Sequence, residues 1–296
     1  MSKRIGALEA GGTKMVLAVG DADGNIEEQV SMPTVAPDEV VPQMAAWFAE
    51  RNVDAIGIGA FGPTAVNPKS PDFGRILFTP KLAWQGYDFL GNVRKGCDVP
   101  MGYDTDVNVA CLGEATFGCA RGLDSVVYIT IGTGIGAGVM IGGELVHGML
   151  HPEAGHILLT VSPGDPGSCI CPSHDRCFEG LASGPSIEAR WGAPAKKLVD
   201  RPEVWELESD YIAQALETYV VCYSPQKIIL GGGVMHQEQL LPLVREKFAA
   251  YLNKYLRTPE LEDLDSYIVP NSLNEKQGIL GCLELGRRAL EAQADR

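Results

Sequence analysis

Two stretches of the chain place short apolar runs on both sides of a glycine-rich bend. Residues 5–20 read IGALEAGGTKMVLAVG, and residues 126–143 repeat the pattern as VVYITIGTGIGAGVMIGG. Glycine tolerates the backbone angles of a tight reversal, so each stretch predicts a β-hairpin. Two similar hairpins about 120 residues apart predict a duplicated architecture with two related halves.

The rest of the pattern predicts helices alternating with short strands. We expect helices at 38–51, 107–118, 180–191, 203–223, 236–256 and 275–292, and strands at 53–60, 100–106, 227–230 and 266–269. Asp106 precedes the second of these helices, where it is expected to be the N-cap. Segment 61–91 is rich in proline, glycine and aromatic residues, which favours a long functional loop.

The charge balance excludes several classes of partner. The 296 residues include 24 Lys and Arg against 38 Asp and Glu, a net charge of −14. Such a chain is not expected to bind nucleic acid, and it must hold any phosphate locally through backbone N–H groups, helix N-termini and a metal. The uncharged run 125–143 contains six glycines, which favours a hairpin over a membrane helix. With no signal peptide expected, a cytoplasmic location is predicted, which favours metal binding over disulfides.

Metal-binding residue types are concentrated between residues 151 and 179. Three of the eight cysteines and three of the five histidines lie there. Two imidazoles and two thiolates suit a structural, tetrahedral Zn²⁺, and the predicted ligands are His156, Cys171, His174 and Cys177. Cys169 is an alternative to His174, and a Cys169–Cys171 disulfide is the alternative to a metal. Glu153 and Glu179 flank the ligands and predict a site for a small polyhydroxylated molecule.

Three glycine turns, each after an apolar strand, are candidates for phosphate binding. They lie at 11–13, 132–134 and 231–233, where bare backbone amides can approach an anion. The chain contains no P-loop motif. Residues 132–137 loosely match a dinucleotide-binding fingerprint, but five glycines within 135–150 make the required helix implausible.

Six motifs in order extend across nearly the whole chain: EAGGTK at 9–14, DTDVN at 104–108, IGTGIGAG at 131–138, HPEAGH at 151–156, CPSHDRCFE at 171–179 and LGGGV at 230–234. This ordered set resembles the ROK-family sugar kinases, in particular their bacterial zinc-containing fructokinases. The resemblance implies an α/β fold of the actin-like ATPase and ribonuclease H-like type, with two duplicated domains and a central cleft. The predicted division is a small N-terminal domain of residues 1–116 plus helix 276–296, and a larger domain of 117–275 carrying the zinc loop.

The resemblance also implies residue roles. Asp106 is expected to be the catalytic base. From the residues themselves, a structural N-cap is the alternative for Asp106 and Asp104 is the second choice of base. Glu9 is either a solvent-facing strand residue or a carboxylate that holds Mg²⁺ through water. Sugar contacts are expected from Gly62, Thr105, Asp106, Glu153, His156 and Glu179. ATP contacts are expected from Gly11, Gly12, Thr13, Lys14, Gly132, Thr133, Gly134, Gly231 and Gly232.

The function that the resemblance implies is ATP-dependent phosphorylation of a hexose at its 6-hydroxyl, with D-fructose the expected substrate, Mg²⁺ as cofactor and a homodimer as the assembly. Mannose, glucose and N-acetylmannosamine are the alternative substrates. A non-catalytic sugar sensor is a different class, but its DNA-binding segment would have to precede a hairpin that starts at Ile5. A chaperone-type ATPase acting on protein is a third class, against which the metal-binding loop argues.

Overall fold

The first predicted hairpin forms around the turn Gly11–Thr13. In the computed structural model, which describes residues 3–79 and 81–294, β1 (Ile5–Ala10) pairs antiparallel with β2 (Lys14–Gly20). Strand β3 (Ile26–Pro33) continues the sheet beyond β2, and β4 (Ala55–Ala60) and β5 (Met101–Thr105) add parallel strands beyond β1. All six residues of β4 are buried, as expected for a strand covered on both faces of a sheet.

A second five-stranded sheet repeats this topology. Its hairpin is β6 (Val126–Ile131) with β7 (Ile135–Ile141), followed by β8 (Glu144–Leu145), β9 (Lys227–Gly231) and β10 (Ile268–Pro270). The strand order is β8-β7-β6-β9-β10, which matches β3-β2-β1-β4-β5 strand for strand. The predicted duplication is therefore confirmed.

The described helices are α1 (Pro37–Glu50), α2 (Phe89–Gly96), α3 (Asp106–Phe117), α4 (Phe178–Ala182), α5 (Gly184–Trp191), α6 (Pro202–Tyr223), α7 (Leu240–Leu252), α8 (Pro259–Glu262), α9 (Leu264–Tyr267) and α10 (Gln277–Ala294). Single turns of 3-10 helix occur at Leu82–Trp84, Ala154–His156, Ala195–Lys197 and Gly233–His236. Within the described ranges, none of the helices has the length and apolarity needed to cross a membrane.

The described residues divide into two compact units. The first lies within Met1–Gly122, Leu145–Pro152 and Ser272–Arg296, and the second consists of Leu123–Glu144 and Glu153–Asn271. In the first unit, α3 and α10 pack so closely that a β-carbon on Gly281 would lie 1.6 Å from the carbonyl oxygen of Val109. A separate core packs α1 and α2 around Phe48 and Phe89.

Three predicted helices differ from the structure in their caps or bounds, and the predicted strand 266–269 begins only at Ile268 because α9 extends to Tyr267. Thr105, not Asp106, caps α3, because the backbone is still extended at Thr105 and its hydroxyl accepts a hydrogen bond from Asn108 N at 3.1 Å. The predicted helix 180–191 is two helices, α4 and α5, separated by an extended Ser183 that caps α5. The predicted helix 236–256 is shorter, since Asn253 adopts a left-handed conformation that ends α7 at Leu252.

Buried Glu114, on α3, holds the chain near its first exit from the first unit and near its last return to it. Its carboxylate accepts hydrogen bonds from Ser272 N at 2.7 Å, from the Ser272 hydroxyl at 2.6 Å and from Cys119 N at 3.1 Å. Glu114 is fully buried, so these hydrogen bonds take the place of those that its carboxylate would make to water. The segment before Gly122 and the segment after Asn271 are thereby fixed to the same helix.

We expect Glu114→Gln to lower the free energy of unfolding by about 2–3 kcal/mol, because an amide N–H₂ would replace an acceptor oxygen and leave a buried donor unsatisfied. Urea unfolding at pH 7 measures this change. Glu291→Gln is the matched control, since Glu291 is exposed on α10 and its ion pair with Arg287 should contribute under about 1 kcal/mol. Equal stability of the Glu114 and Glu291 variants would contradict the role given to Glu114.

Candidate active site

Two of the three predicted glycine turns lie side by side in the second unit. A β-carbon on Gly132 would lie 3.9 Å from Gly233 N, and one on Gly232 would lie 2.5 Å from the carbonyl oxygen of Ile131. Gly232 also has φ of +89°, a conformation that favours glycine. The turns therefore present bare backbone next to each other, as an anion-binding site requires.

The carboxylate of Glu179 lies directly beneath the Gly132–Gly134 turn. One of its oxygens accepts a hydrogen bond from Ile135 N at 2.9 Å, and a β-carbon on Gly134 would lie only 2.8 Å from that oxygen. The other oxygen is 3.8 Å from His156 Nε2. Glu179 thus connects a predicted phosphate-binding turn to a predicted sugar-binding histidine.

The four predicted metal ligands come together. One ligand atom each from His156, Cys171, His174 and Cys177 lies within 4.8 Å of all the others. A tetrahedral Zn²⁺ with bonds of about 2.0–2.3 Å separates its ligand atoms by about 3.3–3.8 Å, so a small contraction would complete the shell. His156 Nδ1 is buried without a hydrogen-bond partner, which is the state expected of a nitrogen that binds a metal.

The alternative involving Cys169 differs from this arrangement. Its thiol is 3.2 Å from the carbonyl oxygen of His174, and Cys169 and Cys171 are both free thiols. Cys171 Sγ instead lies 3.4 Å from His174 Nδ1. The geometry therefore groups His174, rather than Cys169, with the other three ligands.

Glu153 lies at the start of the 3-10 turn that carries His156. This turn packs tightly on β7, since a β-carbon on Gly155 would lie 1.8 Å from the carbonyl oxygen of Ile135, and Tyr219 donates a hydrogen bond to Ala154 O at 2.7 Å. Burial, and then the charge of Glu179, raises the pKa of Glu153 to about 7. Near neutral pH this carboxyl group can therefore either donate or accept a hydrogen bond from a hydroxyl.

The third glycine turn lies in the first unit, between β1 and β2. Gly11 N donates to Lys14 O at 3.0 Å, which closes the turn. Thr34, just after β3, holds it from the side: its hydroxyl donates to Gly11 O at 2.8 Å and its backbone N–H donates to Thr13 O at 3.1 Å. Lys14 is exposed at the end of the turn.

Asp104 and Asp106 have different environments at the end of β5. Asp104 is only 2% exposed, and its oxygens accept from Thr105 N at 2.8 Å and Asn108 Nδ2 at 2.6 Å and lie 2.7 Å from His147 Nε2. Asp106 is the first residue of α3 and only partly buried, with Val107 N donating to one oxygen at 2.9 Å. Asp104 is committed to structural contacts, so Asp106 is the better placed of the two to meet a substrate.

Two histidines to which the sequence analysis gave no role lie in this part of the first unit. His147 pairs with Asp104, and His151 Nε2 accepts a hydrogen bond from Thr64 N at 3.3 Å. The latter bond holds the bend that starts at Gly62, where the Gly62–Pro63 peptide is cis. Thr105, predicted to contact sugar, is buried and its hydroxyl caps α3. The available signal was the presence of His151 as the first residue of the HPEAGH motif, with His147 four residues before it.

Glu9 lies on β1 next to the glycine turn and faces α10. A β-carbon on Gly278 would lie 2.6 Å from its carboxyl carbon. Burial, and then the nearby Asp106 carboxylate, raises the pKa of Glu9 to about 7, although Lys14 acts to lower it. A carboxyl group held in this way favours a positive charge beside the turn.

Two similar mixed α/β units, each with glycine turns beside acidic side chains, define the fold of the actin-like sugar kinases. The ROK family profile matches residues 5–289, and this chain belongs to the ROK family. A fructokinase of Pediococcus pentosaceus is 47% identical over 288 residues, covering 97% of this chain and 99% of that protein. A fructokinase of Streptococcus mutans is 43% identical over 294 residues, with 97% and 99% covered. The crystal structure of a ROK hexokinase from Thermus thermophilus has a TM-score of 0.81 at 26% identity, covering 98% of this chain and 99% of that one.

The raised pKa of Glu9 predicts a pH-dependent contribution to stability. The folded pKa of about 7 exceeds the ordinary value of 4.5, so the folded protein retains a proton that the unfolded chain releases. Stability contributed by this proton is present below pH 4.5 and is lost as the pH rises to about 7. As the pH rises from 5.5 to 8, we expect the free energy of unfolding of Glu9→Gln to increase by about 1–3 kcal/mol relative to that of wild type.

Urea unfolding of both proteins at the two pH values, in a buffer without Mg²⁺, measures this difference. Comparing the variant with wild type removes the contribution of groups common to both. Exposed Glu144 supplies the control, because Glu144→Gln should follow the wild-type pH dependence. An identical pH dependence for the Glu9 variant and wild type would show that the proton is not on Glu9.

Proposed function

We propose that this protein transfers the terminal phosphoryl group of ATP to the 6-hydroxyl of D-fructose, producing ADP and D-fructose 6-phosphate. The observation that carries the proposal is the position of Glu179, which links the Gly132–Gly134 turn to His156 and the metal-ligand cluster. Relatives named as fructokinases, aligned over at least 97% of this chain, support fructose over other hexoses.

In this mechanism Asp106 is the base. Its carboxylate accepts the proton of the 6-hydroxyl while the sugar oxygen forms a bond to the γ-phosphorus and the bond from that phosphorus to the β,γ-bridging oxygen breaks. The proton remains on Asp106 until solvent removes it, and ADP leaves with the bonding electrons. As the first residue of α3, Asp106 has its charged form favoured by the helix N-terminus, so its position matters more than its basicity.

The other predicted site residues would bind the nucleotide, the sugar or Mg²⁺. Backbone N–H groups of Gly11–Thr13 and Gly132–Gly134, with Lys14, would bind phosphate oxygens, and Gly231 and Gly232 would contact the adenosine. Glu153, His156 and Glu179 would accept and donate hydrogen bonds to sugar hydroxyls, with Gly62 and Thr105 as further contacts. Mg²⁺ bound with the nucleotide would neutralise phosphate charge, and Glu9 and Asp106 are the carboxylates that would hold it through water. The homodimer and the cytoplasmic location stay predictions.

The His₂Cys₂ cluster would hold Zn²⁺ as a structural ion. His156 would use a different nitrogen for each of its two roles. Nδ1 is buried without a hydrogen-bond partner and would bind the ion, while Nε2 lies 3.8 Å from a carboxylate oxygen of Glu179. A metal on Nδ1 would fix the orientation of Nε2 toward a sugar hydroxyl, as ligand orientation does in other metal sites.

Asp106→Asn tests the catalytic assignment. We expect kcat to fall about 10²–10⁴-fold with fructose, because the amide cannot accept the hydroxyl proton but keeps the shape of the side chain. ADP release is measured with fructose, mannose, glucose and N-acetylmannosamine, and fructose should give the highest kcat/KM. Exposed Asp98 is the control, and Asp98→Asn should retain wild-type kcat. An unchanged kcat in the Asp106 variant would reject the assignment, and a higher kcat/KM for another hexose would replace fructose as the substrate.

Zinc content and thermal stability test the structural metal. We expect about one Zn²⁺ per chain by elemental analysis, and its removal with a chelator to lower Tm by about 6–12 °C, if the ion contributes about 3 kcal/mol. The KM for fructose should rise at the same time, because His156 and Glu179 lose their support. Restoring Zn²⁺ should reverse both effects.

Cys177→Ser should reproduce the chelated state without chelator. Serine can keep the cap that Cys177 Sγ makes to Gly180 N at 3.3 Å, so any loss arises from the metal rather than from α4. Cys222 is exposed, and Cys222→Ser should keep its zinc and its Tm. Zinc-free wild type with an unchanged Tm would contradict a structural role.

A further inference from the structure

The side chain of Lys81 extends to the glycine turn of the first unit. Its Cε lies 3.6 Å from the point where a β-carbon on Gly12 would stand. Apart from Gly12 and its immediate neighbours, no other heavy atom in the described parts of the chain comes within 4 Å of that point. The ammonium nitrogen is one bond further, about 1.5 Å from Cε. A cation therefore borders open space over the turn.

A chain of hydrogen bonds fixes Lys81 to this turn. Trp84 N donates to Lys81 O at 2.8 Å, and the buried indole of Trp84 donates to Val35 O at 3.0 Å. Thr34, next to Val35, bonds both Gly11 O and Thr13 O. The backbone of Lys81 is thus connected to the turn through Trp84, Val35 and Thr34, and its side chain returns to the same turn.

The local charge favours a second cation here. Glu9 interacts electrostatically with the carboxylates of Asp106 and Glu275, and among the described residues that shift its pKa, Lys14 is the only cation. ATP adds about four negative charges, and the chain itself has a net charge of −14. Backbone amides supply partial charges only, so a lysine at the turn would offset part of the repulsion.

We propose that Lys81 binds the terminal phosphoryl group of the nucleotide held by the Gly11–Thr13 turn. Lysine is a compact point charge that suits a phosphate oxygen whose position changes during transfer. This inference rests on the proposed function, because that function places phosphates at the turn. It gives segment 61–91 a part in nucleotide binding, in addition to the sugar contact proposed for Gly62.

The test compares Lys81→Met, which keeps the length of the side chain without its charge, with Lys81→Arg and wild type. Removing one charge-stabilising group typically costs about 10²-fold in rate, so kcat/KM for ATP should fall about 100-fold in Lys81→Met, with KM for fructose changed less than about twofold. Lys81→Arg should recover part of the loss. Exposed Lys69 lies on the same segment, and Lys69→Met should behave as wild type.

Binding measurements with a non-hydrolysable ATP analogue and with ADP identify the phosphate. Calorimetric titration should show a loss of about tenfold or more for the analogue in Lys81→Met and less than about twofold for ADP. An equal loss for both nucleotides, a selective rise in KM for fructose, or wild-type kinetics would each overturn the proposal. Circular dichroism and Tm confirm that each variant is folded.

The outcomes also separate this inference from the proposed function. If wild type phosphorylates fructose and Lys81→Met has wild-type kinetics, the role of Lys81 is rejected and the proposed function is retained. If analogue binding depends on Lys81 but wild type phosphorylates none of the four hexoses, the role of Lys81 in phosphate binding is retained and the proposed function is rejected.

Discussion

The hydrogen bond between Glu179 and Ile135 N is the contact on which the second unit's site depends. It holds a carboxylate under the Gly132–Gly134 turn while the same side chain faces His156. Glu179 lies on α4, whose N-cap is the metal-ligand candidate Cys177. One short helix therefore connects the turn, the histidine and the cluster, and a displacement of any of them would reach the others. The proximity of Glu179 also helps to keep Glu153 partly protonated near neutral pH.

An acidic chain that binds a polyanion must separate its positive and negative charges over short distances. The second unit does so with neutral groups, because the bare amides of adjacent glycine turns provide positive partial charge beside Glu153 and Glu179. In the first unit, Glu9 interacts with the positive charge of Lys14 as well as with the carboxylates of Asp106 and Glu275. With the proposed roles, this arrangement would let carboxylates for sugar hydroxyls and for proton transfer lie close to phosphates without a strongly basic surface.

The parts of the fold that the sequence predicted are those encoded by local pattern. Apolar runs around glycine identified both hairpins, and ligand chemistry identified the four members of the metal cluster. Strand β3 was missed because it reads IEEQVSMP and lies at a sheet edge, where polar residues face water. Asp106 was taken for the N-cap because Asp is a common cap, whereas the extended strand continues through Thr105, which has the same capability.

The site contacts that were missed join residues far apart in the sequence. His147 and Asp104 are 43 residues apart, and His151 and Thr64 are 87 residues apart, so no window along the chain contains either pair. The place of Lys81 beside Gly12 likewise depends on how segment 61–91 folds back along Thr34 and Val35. Pattern identifies which residues can do chemistry, and tertiary structure selects their partners.

The two halves share a topology but differ in how they rigidify the residues around it. In the first, Asp104 and Glu114 are buried and fully supplied with donors, so hydrogen bonds fix the ends of α3. In the second, the chain from Ile157 to Arg176 contains no helix and only an isolated bridge between Leu158 and Cys177, and it exposes Leu158, Val161 and Ile170. Polar contacts hold the middle of this segment, where the buried side chain of Asp165 pairs with Arg190 at 2.7 Å and accepts a hydrogen bond from Tyr211 at 2.5 Å. A metal held by His156, Cys171, His174 and Cys177 would add a second constraint at its two ends, beside the sugar-binding candidates Glu153 and Glu179.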